Sequence, residues 1–464
     1  MSTNLFNPSD HRSYPSRWPL YRGKQLFRVI DNRSKNGMEE LLSVSHLTGI
    51  TPRSQKNVTM FQAESLIGYK LCKIGDIVAN TMWTWQGAIG VSDYAGVVSP
   101  AYNVYRQSGD IYNPRYLDML LRERRLIDVY HSLSTGIRPS RLRLYPNVFL
   151  TIRLPVPQKG EQDQMVRFLD WKISQVNRLS NMYRNEITLL EEMKQQLIDS
   201  VVTTGLRNFP TIHNEDIRWD INYPSHWKLQ RIRESFSFRK GLSITKANLE
   251  ESGVPVFSYG QIHSKKNSGI GLNEELIRYV NESYLAVNQS SIVKKGDFIF
   301  ADTSEDVVGC GNCAYIDWDN TIFAGYHSII AHPNGTMNGK YLAYLFKSSA
   351  WRYQIRKKAN SVKVYSITQK MLKDAFILIP PAEEQAEIVD YLDSICSHID
   401  AIINKTEAKI SNLHDLKNRL VADVVTGKID IRSIEVPEYD LVEEDGDGES
   451  EENAESMEGE MDEE

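Results

Sequence analysis

Two sets of loops in this 464-residue chain hold cations, amides and aromatics close together. In the second half these are Arg239 and Lys240, then Tyr259, Gln261, His263, Lys265 and Lys266, then Thr303 and Ser304, and finally Lys358 and Lys363. In the first half they are Ser45, His46, Arg53 and Lys56, then Trp83 and Gln86, then Arg138, Arg141 and Arg143. A carboxamide can bond two atoms of an adenine edge, and Arg or Lys can do so with guanine. Hydroxyls and further cations hold phosphates. These residues are the candidate nucleic-acid contacts. Each reads equally well as a solvated loop residue, and Trp83 equally well as core.

Bond-making chemistry finds no comparable support. Thr426-Gly427-Lys428-Ile429 lacks the upstream glycine and the hydroxyl residue of a phosphate-binding loop. Gly309-Cys310-Gly311-Asn312-Cys313-Ala314 lacks the third glycine of a dinucleotide fingerprint. No Gly-x-Ser-x-Gly elbow occurs. Cys310 and Cys313 form one pair with no second pair, so two thiols in a loop are a better reading than a metal site, and no metal ligand set is expected. His263 and His327 are isolated and read as polar contacts or packing residues rather than ligands.

The formal charge of −6 conceals a cationic body. Sixteen acidic residues lie in 435–464, after the last basic residue, Arg432. With these set aside, 54 basic residues face 44 acidic ones, a body of +10. Such a body favours a polyanionic partner. Four cysteines in a chain of this length suit a reducing cytoplasm better than a disulfide framework. No apolar run approaches the roughly 18 residues of a membrane span, and no secretory leader is visible.

The elements that must position these loops are duplicated. Residues 157–203 align without a gap on 380–426, at a constant offset of 223, with fifteen identities. Tyr14-Pro15-Ser16-Arg17-Trp18 is echoed by Tyr223-Pro224-Ser225-His226-Trp227. Each copy is thus a globular part followed by a long helix. The first helix carries an apolar seam at Val166, Leu169, Ile173, Ile187, Leu190 and Leu197; the second carries Val389, Leu392, Ile399, Ile410, Leu413 and Leu420. One seam position is lysine in both, Lys194 and Lys417, either fixing register or snorkelling from a frayed edge. Prolines and glutamates open the helices, and Gly205 and Gly427 close them. About 43 residues make a rod of roughly 65 Å, whose simplest partner is the other copy.

The globular parts read as mixed α/β, giving an α+β chain with a pseudo-twofold repeat. Turns running into strands at 74–79 and 295–301 correspond, as do short helices at 116–121 and 341–346. Gly96–Val98 is matched to the strand at 325–331. Residues 1–156 and 223–379 are the two domains, 157–205 and 380–428 the helices, and 206–222 a linker. Residues 435–464 are expected to form a disordered acidic tail.

Pro380-Pro381-Ala382-Glu383-Glu384-Gln385 opening a long helix, with its looser copy at Pro157, Glu161 and Gln162, resembles the conserved regions of specificity subunits of type I restriction–modification enzymes. The order of variable domain, helix, variable domain, helix is also similar, over roughly residues 14–430. The first copy departs at Gln158-Lys159-Gly160, and the acidic tail is not expected of the family. The resemblance implies two target-recognition domains, each reading half of a bipartite asymmetric site in double-stranded DNA. It implies helices paired as an antiparallel coiled-coil spacer, on which two methyltransferase subunits dock and methylate adenine. Two restriction subunits, translocase–nucleases, complete the complex. The chain itself would catalyse nothing and bind no cofactor; its partners would take S-adenosylmethionine, ATP and Mg. A methylation-only or other phage-defence complex, or a coiled-coil scaffold that reads no DNA, fits the same residues.

Overall fold

The structure, a computed structural model, describes residues 14–55, 65–136, 142–213, 221–361 and 364–445. It divides into two units: Met1–Asn185 with Glu407–Glu464, and Glu186–Thr406. Each long helix therefore contributes to both.

In unit 1, β1 (Phe27–Ile30), β2 (Ile77–Ala79), β3 (Ile89–Val91) and β4 (Asn103–Gln107) form an antiparallel sheet in the order β1-β4-β2-β3. Ile77, Val78 and Ala79 are all buried, as a short continuous apolar run requires. Helices α1 (Pro114–Leu121) and α2 (Arg124–Leu133) bury Tyr116, Leu117, Leu120 and Tyr130. Leu20–Arg22 pairs with Arg153–Pro155, and the chain then enters α3 (Lys159–Thr204).

Unit 2 repeats this plan. Strands β5 (Phe236–Lys240), β6 (Phe298–Ala301), β7 (Cys313–Tyr315) and β8 (Ser328–Pro333) are ordered β5-β8-β6-β7, the same topology. Helices α4 (Gly339–Lys347) and α5 (Ser349–Arg356) follow, Lys228–Arg231 pairs with Phe376–Ile379, and α6 (Ala382–Val425) begins. A second sheet contains the parallel pair Val254–Phe257 and Ile322–Ala324. By sheet position the counterpart of β8 is β4, not Gly96–Val98, which pairs with Lys70–Cys72. Within the span read as a linker, Thr211–His213 pairs with Asn222–Pro224.

The shared residues of the repeat have a physical role in both units. Gln162 is fully buried; its Oε1 accepts from the Asn113 N–H at 2.7 Å, and its Nε2 donates to the Pro157 carbonyl at 2.9 Å. Gln385 does the same with the Asn338 N–H at 2.9 Å and the Pro380 carbonyl at 2.8 Å. Asn113 and Asn338 cap α1 and α4. One amide thus ties a domain helix to the start of a long helix. Beside it, Arg115 pairs with Asp170 at 2.7 Å, and Lys340 with Asp393 at 2.6 Å.

The helix ends are exchanged. Val424 and Val425, the end of α6, are buried in the unit 1 core with Trp18, Val166 and Leu169. Val201 and Val202, near the end of α3, are buried in the unit 2 core with Trp227, Val389 and Leu392. Tyr116 Oη donates to the Val425 carbonyl at 3.1 Å, and Tyr341 Oη to the Val202 carbonyl at 3.5 Å. Gly427, at φ +73°, leaves no room for a side chain, because a Cβ would lie 2.6 Å from the Trp18 ring. Gly205 is its equivalent against Trp227.

Other seam residues are graded. Ile173, Leu197 and Leu420 pack at the edges of these cores, Ile399 is buried, and Ile187, Leu190, Ile410 and Leu413 are half-buried. Both seam lysines cross to the other helix at equivalent positions: Lys194 to Asp400 in unit 2, Lys417 to Asn177 in unit 1. In each unit residue numbers run in opposite directions along the two helices, so the contact is antiparallel.

The tail departs from expectation between 435 and 445. Val436 packs against the unit 1 core, and the Val442 carbonyl accepts from Asn177. Apolar residues spaced through the acidic run, Ile434, Val436 and Val442, give it something to bury.

Replacing Gln385 with leucine orphans the buried Asn338 N–H and the Pro380 carbonyl. Denaturant unfolding of the full chain should show a loss of about 2–3 kcal/mol. A loss below about 0.5 kcal/mol would mean that the pin carries no stability.

Candidate nucleic-acid interface

The candidate residues divide into those the sheets consume and those they present. Asp297 is fully buried beneath unit 2 and binds Arg239, whose guanidinium lies 3.1 Å from it and also donates to the Ser290 and Ile292 carbonyls. In unit 1, Asp76 and Arg106 make a bidentate pair, both bonds 2.6 Å. A buried carboxylate demands such a partner, so Arg239 is a strut rather than a reader. His263 is held between the Thr303 carbonyl, 2.8 Å from Nε2, and Asn312, 3.1 Å from Nδ1. Gln261 turns back to accept from the Ser258 N–H at 3.0 Å. Ser45, Trp83 and Ser304 are buried, and Trp83 stacks on Trp85 inside the unit 1 core. Of the two readings open for these residues, their positions fit the scaffold: Trp83 is core and His263 a polar contact.

Lys240, Lys265, Lys266, Lys358, Gln86 and Arg143 are exposed; Lys266 pairs with Glu275 at 3.1 Å, and His46 and Arg53 are half-buried. Lys56, Arg138, Arg141 and Lys363 lie outside the described residues.

A cleft of about 800 Å³ in unit 2 brings Lys240 and Thr303 together with residues the sequence did not single out for this purpose: Asp302, Tyr326, His327 and Lys370. It opens where the end of β5 meets the loop before β8. The two backbones touch there: a Cβ on Gly241 would lie 2.1 Å from the Gly325 carbonyl oxygen. His327 has φ +53°, and among the described residues no other non-glycine residue has positive φ. That costs energy unless the surroundings hold it. Asp302 lies 3.2 Å from its Nδ1, and Tyr259 packs edge-on at 5.6 Å. Tyr259 thus buttresses the His327 ring. The result is a histidine held proud of the surface by an acidic partner, flanked by exposed lysines. It offers directional hydrogen bonds to a base edge and charge for phosphates.

The corresponding place in unit 1 has different chemistry. Leu144 donates its N–H to the Thr81 carbonyl, as Ile367 does to Asp302, which makes Thr81 the counterpart of Asp302. The Thr81 hydroxyl donates to the Ala101 carbonyl and accepts from Asn103 at 2.9 Å. A hydroxyl stands where unit 2 places a carboxylate, and strand register puts Ala101 where unit 2 places His327.

Among the described residues no group of three His, Cys, Asp or Glu side chains is placed to hold a metal. Burial pushes the Cys313 thiol up to about 12 and the Cys310 thiol upward as well, so neither is an activated nucleophile. Among the described residues no helix is long and apolar enough to cross a membrane.

Residues 224–412 match the family model for the type I restriction modification DNA specificity domain. The chain is 24% identical over 308 residues to the EcoKI specificity subunit of Escherichia coli K12, covering 64% of this chain and 62% of that one. It is 21% identical over 344 residues to the MjaVIII specificity subunit of Methanocaldococcus jannaschii, covering 73% and 76%. In fold it is similar to a chain from a solved structure on complex assembly and conformational transition of the type I R-M system. The TM-score is 0.61 at 16% identity, over 90% of this chain and 99% of the other.

Arg239→Ala should destabilise the protein by about 2 kcal/mol, because Asp297 stays buried without its guanidinium. Lys240→Ala, one residue on and exposed, should stay within about 0.5 kcal/mol. Thermal melts of the two variants check this; equal losses would contradict the division into strut and reader.

Proposed function

We propose that the chain is a type I restriction–modification specificity subunit and that it chooses the DNA sequence on which such a complex acts. Domain 1 (1–156) reads one half of a bipartite, asymmetric double-stranded site, and domain 2 (223–379) reads the other. The observation that carries this is a single scaffold built twice, with the same sheet order and the same glutamine pin, bearing different side chains at the same point. Equal mouths would read a palindrome; Thr81 and Ala101 on one side and Asp302 and His327 on the other suit two different sequences.

The helices (157–205 and 380–428) count out the gap between the half-sites and dock two methyltransferase subunits that methylate adenine. Two translocase–nuclease subunits join them. S-adenosylmethionine, ATP and Mg belong to those partners, and this chain supplies recognition without catalysis. Its place of action is the cytoplasm, where DNA and these partners meet.

Two outcomes test the reading. In the assembled complex, His327→Ala should leave the fold intact and relax discrimination at one half-site only. Leaving unpaired the base-edge group that His327 Nε2 would bond costs about 1–3 kcal/mol, or roughly 5- to 150-fold, in methylation of the native site relative to single-base variants. Equal loss at both half-sites, or none, would remove His327 from the reading role. Seven residues inserted into α3 alone should abolish assembly, because the buried end of that helix would move by about 10 Å. The same insertion in both helices should lengthen the unspecified gap by about three base pairs.

A further inference from the structure

The C-terminal segment lies on a ladder of polar side chains along α3 in unit 1. Ser174, Asn177, Asn181 and Arg184 are spaced three, four and three residues apart, so they share one helix face. Ser174 Oγ accepts from the Val442 N–H at 3.2 Å. Asn177 Nδ2 donates to the Val442 carbonyl at 2.8 Å. Asn181 bonds the backbone twice: Nδ2 donates to the Glu443 carbonyl at 3.0 Å, and Oδ1 accepts from the Asp445 N–H at 3.0 Å. Four backbone bonds from three side chains hold an extended strand whatever its side chains are. At the end of the ladder one carboxylate is read specifically. Glu444 accepts from Arg184 at 2.9 Å, from Lys417 of α6 at 2.7 Å, and is bonded to His414. Burial works against its charge, yet the hydrogen bonds from Lys417, Arg184 and His414 hold the carboxyl down to about 2.

The repeat provides an internal control. At the offset of 223, the counterparts of Ser174, Asn177, Asn181 and Arg184 are Ser397, Asp400, Asn404 and Glu407, and those of His414 and Lys417 are Glu191 and Lys194. Two of the three cations become carboxylates, which would repel an acidic strand. There Lys194 takes its carboxylate from within the helix pair, Asp400. In unit 1 the same position is Asn177, and Glu444 fills the role from the tail. Ser174 is buried accordingly, and Ser397 is exposed.

We propose that Ser174, Asn177, Asn181, Arg184, His414 and Lys417 form a recognition site for an extended acidic peptide, occupied in cis by residues 442–445 of the chain's own tail as a latch. The latch distinguishes the two otherwise repeated helix faces, one covered by the chain's end and the other lacking the cations to hold it. The inference depends on neither DNA nor partner subunits, so its fate and that of the proposed function are separable.

Hydrogen–deuterium exchange on the full-length chain tests it. The Val442 and Asp445 amides should be protected in the wild type. Asn181→Ala and Glu444→Gln should each speed their exchange at least tenfold, with exchange along α3 and α6 unchanged. The Glu444→Gln chain, its own latch loosened, should then bind a labelled synthetic peptide of residues 440–448 at least tenfold more tightly than the wild type does, and less tightly as salt rises. An unprotected tail in the wild type, protection indifferent to both substitutions, or a peptide that fails to bind the Glu444→Gln chain would each overturn the proposal.

Discussion

The rest of the structure depends on the burial of each long helix's last turn in the core of the domain encoded by the other half of the chain. Val424 and Val425 complete the unit 1 core; Val201 and Val202 complete that of unit 2. Burying two valines gives on the order of 3–6 kcal/mol, a large share of a typical domain's stability. Neither globular domain has a finished core without the far end of the other's helix. The helix pair is therefore part of each domain's interior. Its direction follows: a helix that starts under one core and ends under the other must run antiparallel to its partner. The closing glycines mark the same constraint from outside, because a side chain at Gly427 would collide with Trp18.

Fixed pins and variable mouths serve different ends. Gln162 and Gln385, Asp170 and Asp393, and the buried Asp76 and Asp297 with their arginines hold the sheets and helices in one arrangement. That frees the loop tips to differ at little cost, since their side chains carry little packing. At the same strand end one unit presents Thr81 and Ala101, the other Asp302 and His327. The same rigidity supports strain: His327 is held at positive φ by a loop that two close-packed backbones leave no freedom to relax.

The architecture was legible where it is written as period and repetition. The heptads, the acidic helix starts, the closing glycines and the fifteen identities lead directly to α3, α6 and the doubled units. The site was less legible, because the orientation of a polar side chain depends on what lies beneath it. Arg239 looked like a base reader, and only the buried carboxylate of Asp297, far along the chain, shows that it is committed inward. Gln261 and His263 turn inward for similar reasons, to a backbone N–H and a backbone carbonyl. His327 read as a polar contact or packing residue, and its bond to Asp302 fits the first, but its backbone conformation has no sequence signature. Composition alone made the tail a solvated run; the match between Val442–Asp445 and a ladder on α3 is a tertiary fact, although the spacing of Ser174, Asn177, Asn181 and Arg184 was there to be read.

The central claim is that one chain makes two unlike readings of DNA at a fixed separation. The most direct measurement is a genome-wide map of methylated adenines in cells that carry this chain with its partner subunits, compared with cells from which the chain alone is deleted. The account predicts a motif of two short, non-identical half-sites separated by a constant number of unspecified base pairs, lost entirely on deletion. A contiguous or palindromic motif, a gap of variable length, or methylation that persists without the chain would contradict it.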